Sequence, residues 1–476
     1  MTKTEGQSFV LTIAGLRGGS GKTFASLGLT SFFVNDGKKV CPFKKGPDYI
    51  DAGWLAFAAG RHCYNLDTFM CSPQIVKDSF LYHSENFDIS VIEGNRGLYD
   101  AIDVTGKTST AEIAKLVDSP VIVCIDCTKC TLTIAAVVMG LINFDPELKL
   151  EGVILNRVAG KRHAEKLRAS IEHYTDVKVV GAIPKIRDLD FPERHMGLIP
   201  TCESNQASLI IKKTEEVIKD NLDTHIVYEI ASSGKNKENT VSPYKEIIIS
   251  EKCEEKIRIG IIIDEAFQFY YPENIKILEY CGAELVKINT LTDDKIPENI
   301  HALYIGGGFP ESFAKELSQN KTMRKSILSA AEKNLPVYAE CGGLIYLGEE
   351  IILGDKHYEM CGFFPLKFSL SDKPQGHGYV DAVVCEKNPF FEKNLSLKGH
   401  EFRYSKIMDI DFNDNFDDIY FSYLLDRGVG ITGRKDGITK KNTLASYLHL
   451  HALGSKQWAE GLIKAAEKFK KSLNNN

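Results

Sequence analysis

One cysteine stands between a short apolar run and two glycines in the segment "YAECGGLIYLGEE" (338–350). At a turn from a strand into a helix, a thiol gains thiolate character from the helix N-terminus and presents its sulfur outward. Gly342 lets the chain turn sharply there and lets backbone N–H groups face a developing oxyanion. This pattern predicts that Cys341 is a nucleophile.

A nucleophilic thiol needs a base, and "ASYLHLHA" (445–452) contains two histidines. The alternating pattern predicts a strand over 443–452 that carries His449 and His451 on one face. A Cys/His pair is the minimum for acyl-enzyme chemistry on an amide, and either histidine could be the base. Gly307 and Gly308 follow another predicted strand and supply further N–H donors for an oxyanion hole.

A second constellation lies near the start of the chain, in "IAGLRGGSGKTFASLGL" (13–29). A glycine-rich loop between a predicted strand and a predicted helix is the context of a P-loop, whose backbone N–H groups wrap a phosphate. The lysine would reach the outer phosphate oxygens and the threonine would ligate Mg²⁺. The predicted nucleotide-binding residues are Gly18, Gly19, Ser20, Gly21, Lys22 and Thr23.

A metal bound beside a nucleotide also needs acidic ligands. Glu93 closes the apolar strand "ISVIEG", and Asp48 follows another predicted strand in "KKGPDYID". Carboxylates at the carboxyl edge of a parallel sheet lie beside the phosphates. We therefore expect Asp48 and Glu93 to complete a Mg²⁺ site with Thr23, although both could be ordinary loop carboxylates.

The elements that position these residues form two series of short apolar strands alternating with amphipathic helical segments. Continuous apolar strands separated by helices indicate a parallel sheet covered on both faces. The polar stretch 232–256 is rich in Ser, Gly and charge and is typical of a linker. We predict a P-loop domain over 1–231 and a second α/β domain, which carries the thiol and the two histidines, over 257–476.

Composition limits the remaining function classes. A net charge of −6 gives no electrostatic case for nucleic acid or an anionic membrane surface. No apolar run approaches the roughly 20 residues that span a bilayer, and no cleavable signal pattern is present. We expect a cytoplasmic protein whose twelve cysteines are thiols.

The loop spacing and the motifs together resemble known enzymes. Five residues separate Gly15 from Gly21, a spacing similar to dethiobiotin-synthetase-like proteins. The whole chain resembles the cobyrinic acid a,c-diamide synthase family, in which a P-loop doubly wound α/β domain precedes a class I glutamine amidotransferase-like α/β domain. The segments that carry this resemblance are "GLRGGSGKT", "FKKGPDYID", "NLDTFM", "IEGNRGLYD", "GVILNRVAGKRH", "PERHMGL", "YIGGGFPE", "AECGGLIYL", "GHEFRYS" and "ASYLHLHA".

The resemblance implies ATP- and Mg²⁺-dependent amidation of two acetate side chains of a tetrapyrrole polycarboxylate, through an acyl phosphate, with L-glutamine as nitrogen donor. Cys341 would attack glutamine with His449 as the favoured base, and ammonia would pass to the other domain. Many relatives in this wider class carry Glu two residues after that histidine, where this chain has His451, so a Cys–His dyad is expected. A homodimer is compatible with the sequence, which does not fix the oligomeric state.

The resemblance also implies that Asp100 lies near the substrate, and Tyr49 and Arg96 are further predicted substrate contacts. Arg96 stands where many relatives have an apolar residue, and Arg403 where many have His. Either arginine could pair with a carboxylate of the macrocycle, although Arg96 is equally explained as a surface residue. These departures leave sirohydrochlorin, nickel-sirohydrochlorin or siroheme open as alternative substrates.

Two other function classes compete with amidation. A P-loop partition or regulatory ATPase would use the first domain alone. A metal or iron–sulfur module could use Cys124, Cys127 and Cys130 in "VIVCIDCTKC". That run lacks the fourth ligand and the proline of the ferredoxin motif, and Cys124 falls in a predicted buried strand. We therefore favour the interpretation that these cysteines pack as small hydrophobic residues.

Overall fold

The computed structural model describes residues 8–186, 193–194, 197–201, 206–236, 240–245, 256–408 and 418–474. The chain divides into two compact units. The first comprises residues 1–68 and 72–243, and the second comprises 69–71 and 244–476. Among the described helices, none is both long and apolar enough to cross a membrane.

The first unit alternates strands and helices. Its strands are β1 (Ser8–Gly15), β2 (Val40–Lys45), β3 (Tyr64–Leu66), β4 (Ile89–Glu93), β5 (Val121–Asp126), β6 (Leu150–Val158), β7 (Lys178–Pro184), β8 (Glu193–Arg194), β9 (Gly197–Leu198) and β10 (Lys235–Asn236). Its helices are α1 (Lys22–Asn35), α2 (Tyr49–Ala59), α3 (Pro73–Ser84), α4 (Thr110–Leu116), α5 (Thr133–Phe144), α6 (Lys161–Tyr174), α7 (Ala207–Asn221) and α8 (Thr224–Ser233).

Seven of these strands form a parallel sheet in the order β3-β2-β4-β1-β5-β6-β7, and β10 pairs antiparallel with β1. Successive residues of β5 enter two different cores. Ile122 packs with residues of α1, α7 and α8, and Val123 packs with residues of α4, α5 and α6. The sheet is therefore buried on both faces, which confirms the predicted doubly wound fold.

The second unit combines a parallel sheet half with an antiparallel half. Its strands are β11 (Arg258–Ile262), β12 (Phe267–Phe269), β13 (Glu284–Ile288), β14 (Ala302–Ile305), β15 (Gly307–Gly308), β16 (Val337–Glu340), β17 (Glu350–Leu353), β18 (Lys356–Glu359), β19 (Lys367–Leu370), β20 (Gly376–Val384), β21 (Ser396–Arg403), β22 (Ser405–Ile407), β23 (Ile419–Arg427), β24 (Lys435–Lys440), β25 (Thr443–Ser446) and β26 (His449–Leu450). Its helices are α9 (Pro272–Tyr280), α10 (Ala314–Gln319), α11 (Lys321–Glu332), α12 (Gly342–Leu347) and α13 (Gln457–Asn474), with a 3₁₀ turn at Pro310–Phe313.

The large sheet runs in the order β13-β11-β14-β16-β25-β24-β23-β20-β21-β26. Its first five strands are parallel, and every later pairing is antiparallel. The predicted α/β class is confirmed, with a mixed sheet. The short helix α12 follows β16, which lies between β14 and β25 in the parallel half, so Cys341 emerges at the carboxyl edge of this sheet.

The prediction of one strand over 443–452 is wrong. The chain leaves the sheet at Tyr447 and Leu448, where the Ser446 hydroxyl donates to the Leu448 carbonyl at 3.1 Å. It then forms β26, the last strand of the antiparallel half, which pairs with β21. The two-residue period therefore does not relate His449 to His451, which lies outside β26.

Much of the stretch 232–256 that the sequence predicts as a linker lies outside the described residues. Within the described part, Ser232 and Ser233 complete α8, and β10 pairs with β1. Residues 192, 195 and 196 of the "PERHMGL" segment also fall outside them.

The packing of α1 on α7 depends on a glycine. A Cβ at Gly28 would lie 2.3 Å from Ile218 Cγ1 and 3.1 Å from the Thr214 carbonyl oxygen. We predict that Gly28→Ala lowers the free energy of unfolding by about 1–3 kcal/mol through overpacking. Urea denaturation measures the change.

Gly140 in α5 is the matched control, because it is exposed and a Cβ there would meet no atom within 4 Å. Gly140→Ala should raise the free energy of unfolding by about 0.5–1 kcal/mol through helix propensity alone. Equal changes in the two variants would contradict the close α1–α7 contact.

Candidate active sites

The predicted phosphate loop connects the buried strand β1 to α1, as the sequence indicates. Gly19 and Gly21 have φ values of 72° and 98°, which an L side chain rarely adopts. The Asn156 side chain donates to the Ser20 carbonyl at 2.9 Å and lies where a Cβ of Gly21 would be. Gly18 and Gly19 are open, because a Cβ added to either would meet no atom within 4 Å. Asn156 thus holds the loop at Ser20 and Gly21, and the loop is open at Gly18 and Gly19, where a phosphate would enter.

Lys22 begins α1 and its side chain folds back across Gly15. Burial and the neighbouring Lys44 ammonium lower the pKa of Lys22. The Thr23 hydroxyl donates to Glu93 Oε1 at 2.7 Å, so the structure brings together these two predicted metal ligands. Glu93 itself is fully buried at the end of β4.

A buried lysine that the sequence analysis missed lies at the centre of this acidic cluster. Lys44 is 1% exposed, and its ammonium donates to Asp51 Oδ2 at 2.7 Å and to Glu93 Oε1 at 2.8 Å. Burial alone would lower the pKa of Lys44, but the charges of Asp51 and Glu93 more than offset it and hold the pKa above its ordinary value. Burial raises the pKa of Glu93 to about 7 even with Lys44 beside it.

Asp48 has a different contact from the one predicted. Its Oδ1 accepts hydrogen bonds from the backbone N–H groups of Ile50 and Asp51 at 2.9 Å each, which caps the N-terminus of α2. Burial and the adjacent Asp51 charge raise the pKa of Asp48 to about 6. Tyr49 is the first residue of α2. Among the described residues, no three His, Cys, Asp or Glu side chains are grouped as a metal site.

Two of the predicted substrate residues line one cavity. Arg96 and Asp100 are exposed, and with Phe144 and Ser109 they border a cavity of about 390 Å³ beside the loop that follows β4. The Asp100 carboxylate accepts the Gly97 N–H at 2.8 Å, and Leu98 N–H donates to the Gly15 carbonyl at 2.8 Å. The cavity wall is therefore tied to the start of the phosphate loop.

In the second unit, Cys341 joins β16 to α12 with φ 45° and ψ −94°. A non-glycine residue in this region is strained, and such strain is concentrated at functional sites. The backbone holds it in place, because the Cys341 N–H donates to the Ser446 carbonyl at 2.7 Å and its carbonyl accepts from Ile345 at 3.1 Å. The strand–thiol–helix turn predicted from the sequence is present.

The predicted oxyanion glycines gather around this turn. A Cβ on Gly342 would lie 2.9 Å from the Gly308 nitrogen, and one on Gly307 would lie 2.5 Å from His449 Cε1. The Gly343 N–H donates to the Gly306 carbonyl at 3.1 Å. Gly342 opens α12, where first-turn N–H groups have no partner within the helix. Gly307, Gly308 and Gly342 are thus packed together beside the histidine.

The structure separates the two histidines. His449 hydrogen bonds to the side chain of Cys341, and its Nδ1 lies 3.5 Å from Glu340 Oε2. Burial lowers the pKa of His449, but these two partners outweigh it and raise the pKa to about 10. His451 Nδ1 instead lies 3.6 Å from Cys71 Sγ, and its Nε2 lies 3.6 Å from Glu273 Oε1.

Other polar candidates serve internal roles. The Arg403 guanidinium is buried, donates to the carbonyls of Ser405 and Gly430 at 2.6 Å each, and lies over the Tyr447 ring. It therefore does not present its fork to a ligand. Cys124 is buried in β5, and the Cys127 thiol donates to the Ile125 carbonyl at 3.3 Å.

Comparison with known proteins gives two domain matches. Residues 11–199 match the CobQ/CobB/MinD/ParA nucleotide binding domain, and residues 258–457 match the CobB/CobQ-like glutamine amidotransferase domain. A cobyrinate a,c-diamide synthase of Archaeoglobus fulgidus is 38% identical over 97% of this chain and 98% of its own length. One from Methanosphaera stadtmanae is 39% identical over 93% of this chain and 95% of its own length.

The chain belongs to the cobyrinate a,c-diamide synthase family. As a member, it is a glutamine-dependent amidating ligase. Its chain contains a nucleotide-binding domain followed by a glutamine amidotransferase domain. The alternative of a P-loop partition or regulatory ATPase is set aside, because the relatives match over both units.

Sequence reasoning missed three residues of this family member's sites: Lys44, Asp51 and Glu340. Lys44 and Asp51 lie inside the motif "FKKGPDYID", and Asp51 is three residues after the Asp48 helix cap, a spacing that could have placed both carboxylates at the start of α2. Glu340 directly precedes the cysteine. No signal in the sequence shows that it meets His449, because the chain bend after Ser446 creates that contact.

Removing the Lys44 ammonium would leave the buried Glu93 carboxylate and the half-buried Asp51 carboxylate without their cation. We predict that Lys44→Met lowers the free energy of unfolding by about 3–5 kcal/mol. Lys178→Met is the control, because its pair with Glu229 is exposed and worth at most about 1 kcal/mol. Chemical denaturation of both variants checks this, and equal losses would contradict the central place of Lys44.

Proposed function

We propose that this chain moves nitrogen from L-glutamine to the a- and c-acetate carboxylates of a modified tetrapyrrole, with ATP activating each carboxylate. The name of its relatives, cobyrinate a,c-diamide synthase, supplies the substrate class. The observation that carries the proposal is the strained Cys341 hydrogen bonded to His449, in a chain that also holds a P-loop with Thr23 paired to Glu93.

In the amidotransferase unit, Cys341 would release ammonia. Its sulfur forms a bond to the carboxamide carbon of glutamine, and His449 takes the thiol proton. The C–N bond then breaks as His449 returns that proton to the leaving ammonia, and water hydrolyses the thioester to glutamate. The N–H groups of Gly307, Gly308 and Gly342 would stabilise the oxyanion, and the close packing of these glycines beside the thiol turn supports this role.

In the nucleotide-binding unit, a tetrapyrrole carboxylate would attack the γ-phosphate of ATP, with ADP leaving. Ammonia then attacks the acyl phosphate, and inorganic phosphate departs as the amide forms. The backbone N–H groups of residues 18–21 and the Lys22 ammonium would hold the phosphates, and the space beside Gly18 and Gly19 is open to them. Activation is needed because an ionised carboxylate is a poor electrophile.

The residues present fit a magnesium ion. Glu93 Oε2 is buried with no hydrogen-bond partner in the described structure, and the Thr23 hydroxyl is bonded to the other oxygen of the same carboxylate. Mg²⁺ beside a nucleotide uses only one or two carboxylates, with waters and phosphates as its remaining ligands. Thr23 and Glu93 would hold it, with Asp48 and Asp51 close by, and it would neutralise charge on the phosphates.

The cavity bordered by Arg96 and Asp100 would take the reacting acetate side chain. Arg96 is exposed there and can pair with a substrate carboxylate. Tyr49, at the start of α2, is proposed as a further substrate contact.

The ten described cysteines are free thiols, which supports the proposal of a cytoplasmic enzyme.

We predict that Cys341→Ser lowers glutamine-dependent amidation by at least about 10³-fold, because the nucleophile is lost. Amidation driven by added ammonium should be retained, since the thiol serves nitrogen release alone. Product mass and glutamate release measure the two reactions. Cys385→Ser, at a half-buried thiol, is the control. Loss of both reactions in a folded Cys341→Ser protein would refute this division of labour.

Lys22→Ala should lose amidation with both nitrogen sources but keep glutamine hydrolysis. Loss of the phosphate-binding ammonium should reduce amidation with either glutamine or ammonium by about 10²-fold or more. Basal glutamate release should persist, because Cys341 and His449 are untouched. Lys39→Ala, at an exposed lysine, should behave as wild type. Ammonium-driven synthesis at the wild-type rate in Lys22→Ala would contradict the proposed nucleotide site.

A further inference from the structure

We propose that Glu340 is the carboxylate that positions His449 for its reaction with Cys341, in place of an acid two residues after the histidine. This inference rests on the proposed glutaminase function. Glu340 is the last residue of β16 and immediately precedes the thiol. Two consecutive residues at the end of β16 would then serve the reaction, because Glu340 orients the base and Cys341 is the nucleophile.

The geometry supports a carboxylate held in a fixed position at this point. Glu340 is 0% exposed, and its Oε2 lies 3.5 Å from His449 Nδ1. The Tyr304 hydroxyl donates to Oε2 at 3.2 Å, and the Tyr338 hydroxyl and the Leu450 N–H donate to Oε1 at 3.3 Å each. Three hydrogen-bond donors therefore hold the buried group in place.

The position two residues after His449 cannot supply that acid. It is occupied by His451, whose ring faces Cys71 and Glu273. The unit thus contains two buried imidazole–carboxylate pairs of similar separation, 3.5 Å for His449 with Glu340 and 3.6 Å for His451 with Glu273. Only the first pair also contacts Cys341.

Glu340 would act through the histidine. With Nδ1 at 3.5 Å from Oε2, the carboxylate would favour the Nδ1–H tautomer and so leave the other ring nitrogen for the thiol proton. The carboxylate also stabilises the imidazolium that forms when the thiol gives up its proton. The groups that face His449 are Cys341, Glu340 and the stacked ring of His400, 4.9 Å away. Burial and the neighbouring imidazoles lower the pKa of His400, which keeps that ring neutral.

The test compares Glu340→Gln with Glu273→Gln in the full chain. Glu340→Gln should lower kcat for glutamine hydrolysis by about 10²-fold or more, with KM for glutamine unchanged within about twofold. The alkaline limb of its pH–rate profile, which reports loss of the imidazolium proton, should move to lower pH because the neighbouring negative charge is gone. Ammonium-driven amidation should be unchanged. Glu273→Gln should keep the wild-type kcat and the wild-type alkaline limb.

Two results would overturn the inference. One is wild-type kcat and pH profile in Glu340→Gln, and the other is a larger loss and shift in Glu273→Gln. If Glu340→Gln does not fold, Glu340→Asp takes its place. Because it retains the charge but shortens the reach, it should lower kcat and leave the alkaline limb in position, and a wild-type kcat would refute the role. These outcomes leave the nucleophile untouched, whereas unchanged glutamate release in Cys341→Ser would refute the glutaminase function itself.

Discussion

The backbone conformation of Cys341 is the constraint on which the second unit depends. With φ at 45°, the residue can end a buried strand and begin a helix with no intervening loop. That sharp turn requires glycine at the next two positions. A side chain on Gly342 would reach the Gly308 nitrogen, and one on Gly343 would lie 2.6 Å from the Ile305 carbonyl oxygen. Nucleophile strain and close backbone packing are therefore consequences of one turn.

In the first unit, the carboxyl edge of the sheet carries a cluster of acidic side chains. Parallel strands bring Glu93 and the carboxylates after β2 to one place, where burial would make their charges costly. The Lys44 ammonium offsets that cost, because the register of β2 and β4 puts Lys44 directly beside Glu93. Glu93 keeps one oxygen without a protein partner in the described structure and so remains available to a metal.

The sequence predicts those strands whose bounds are marked by a local pattern of apolar residues. The predicted strand over 150–158 has the bounds of β6, and the prediction over 89–94 differs from β4 by one residue, because continuous apolar runs mark buried parallel strands. The strand over 443–452 fails because a serine hydroxyl bonded to the Leu448 carbonyl closes a bend that alternation does not reveal.

The site residues divide in the same way. Cys341, His449 and the glycine loop can be recognised because their types and neighbours suggest a reaction. Lys44 and Glu340 cannot, since a lysine or glutamate in a strand normally indicates exposure, and their partners come from strand register and from a chain bend.

Treatment of the intact enzyme with the diazoketone analogue of L-glutamine, followed by peptide mass mapping, tests most directly whether Cys341 is the nitrogen-releasing nucleophile. The diazo carbon takes up a proton, the thiolate then displaces dinitrogen from it, and the glutamine skeleton stays attached as a stable thioether. We expect a single adduct on the peptide that contains Cys341, and none in Cys341→Ser. An adduct on another cysteine such as Cys71, or an unmodified Cys341 in an enzyme inactivated by the reagent, would contradict the proposed role of the strained turn.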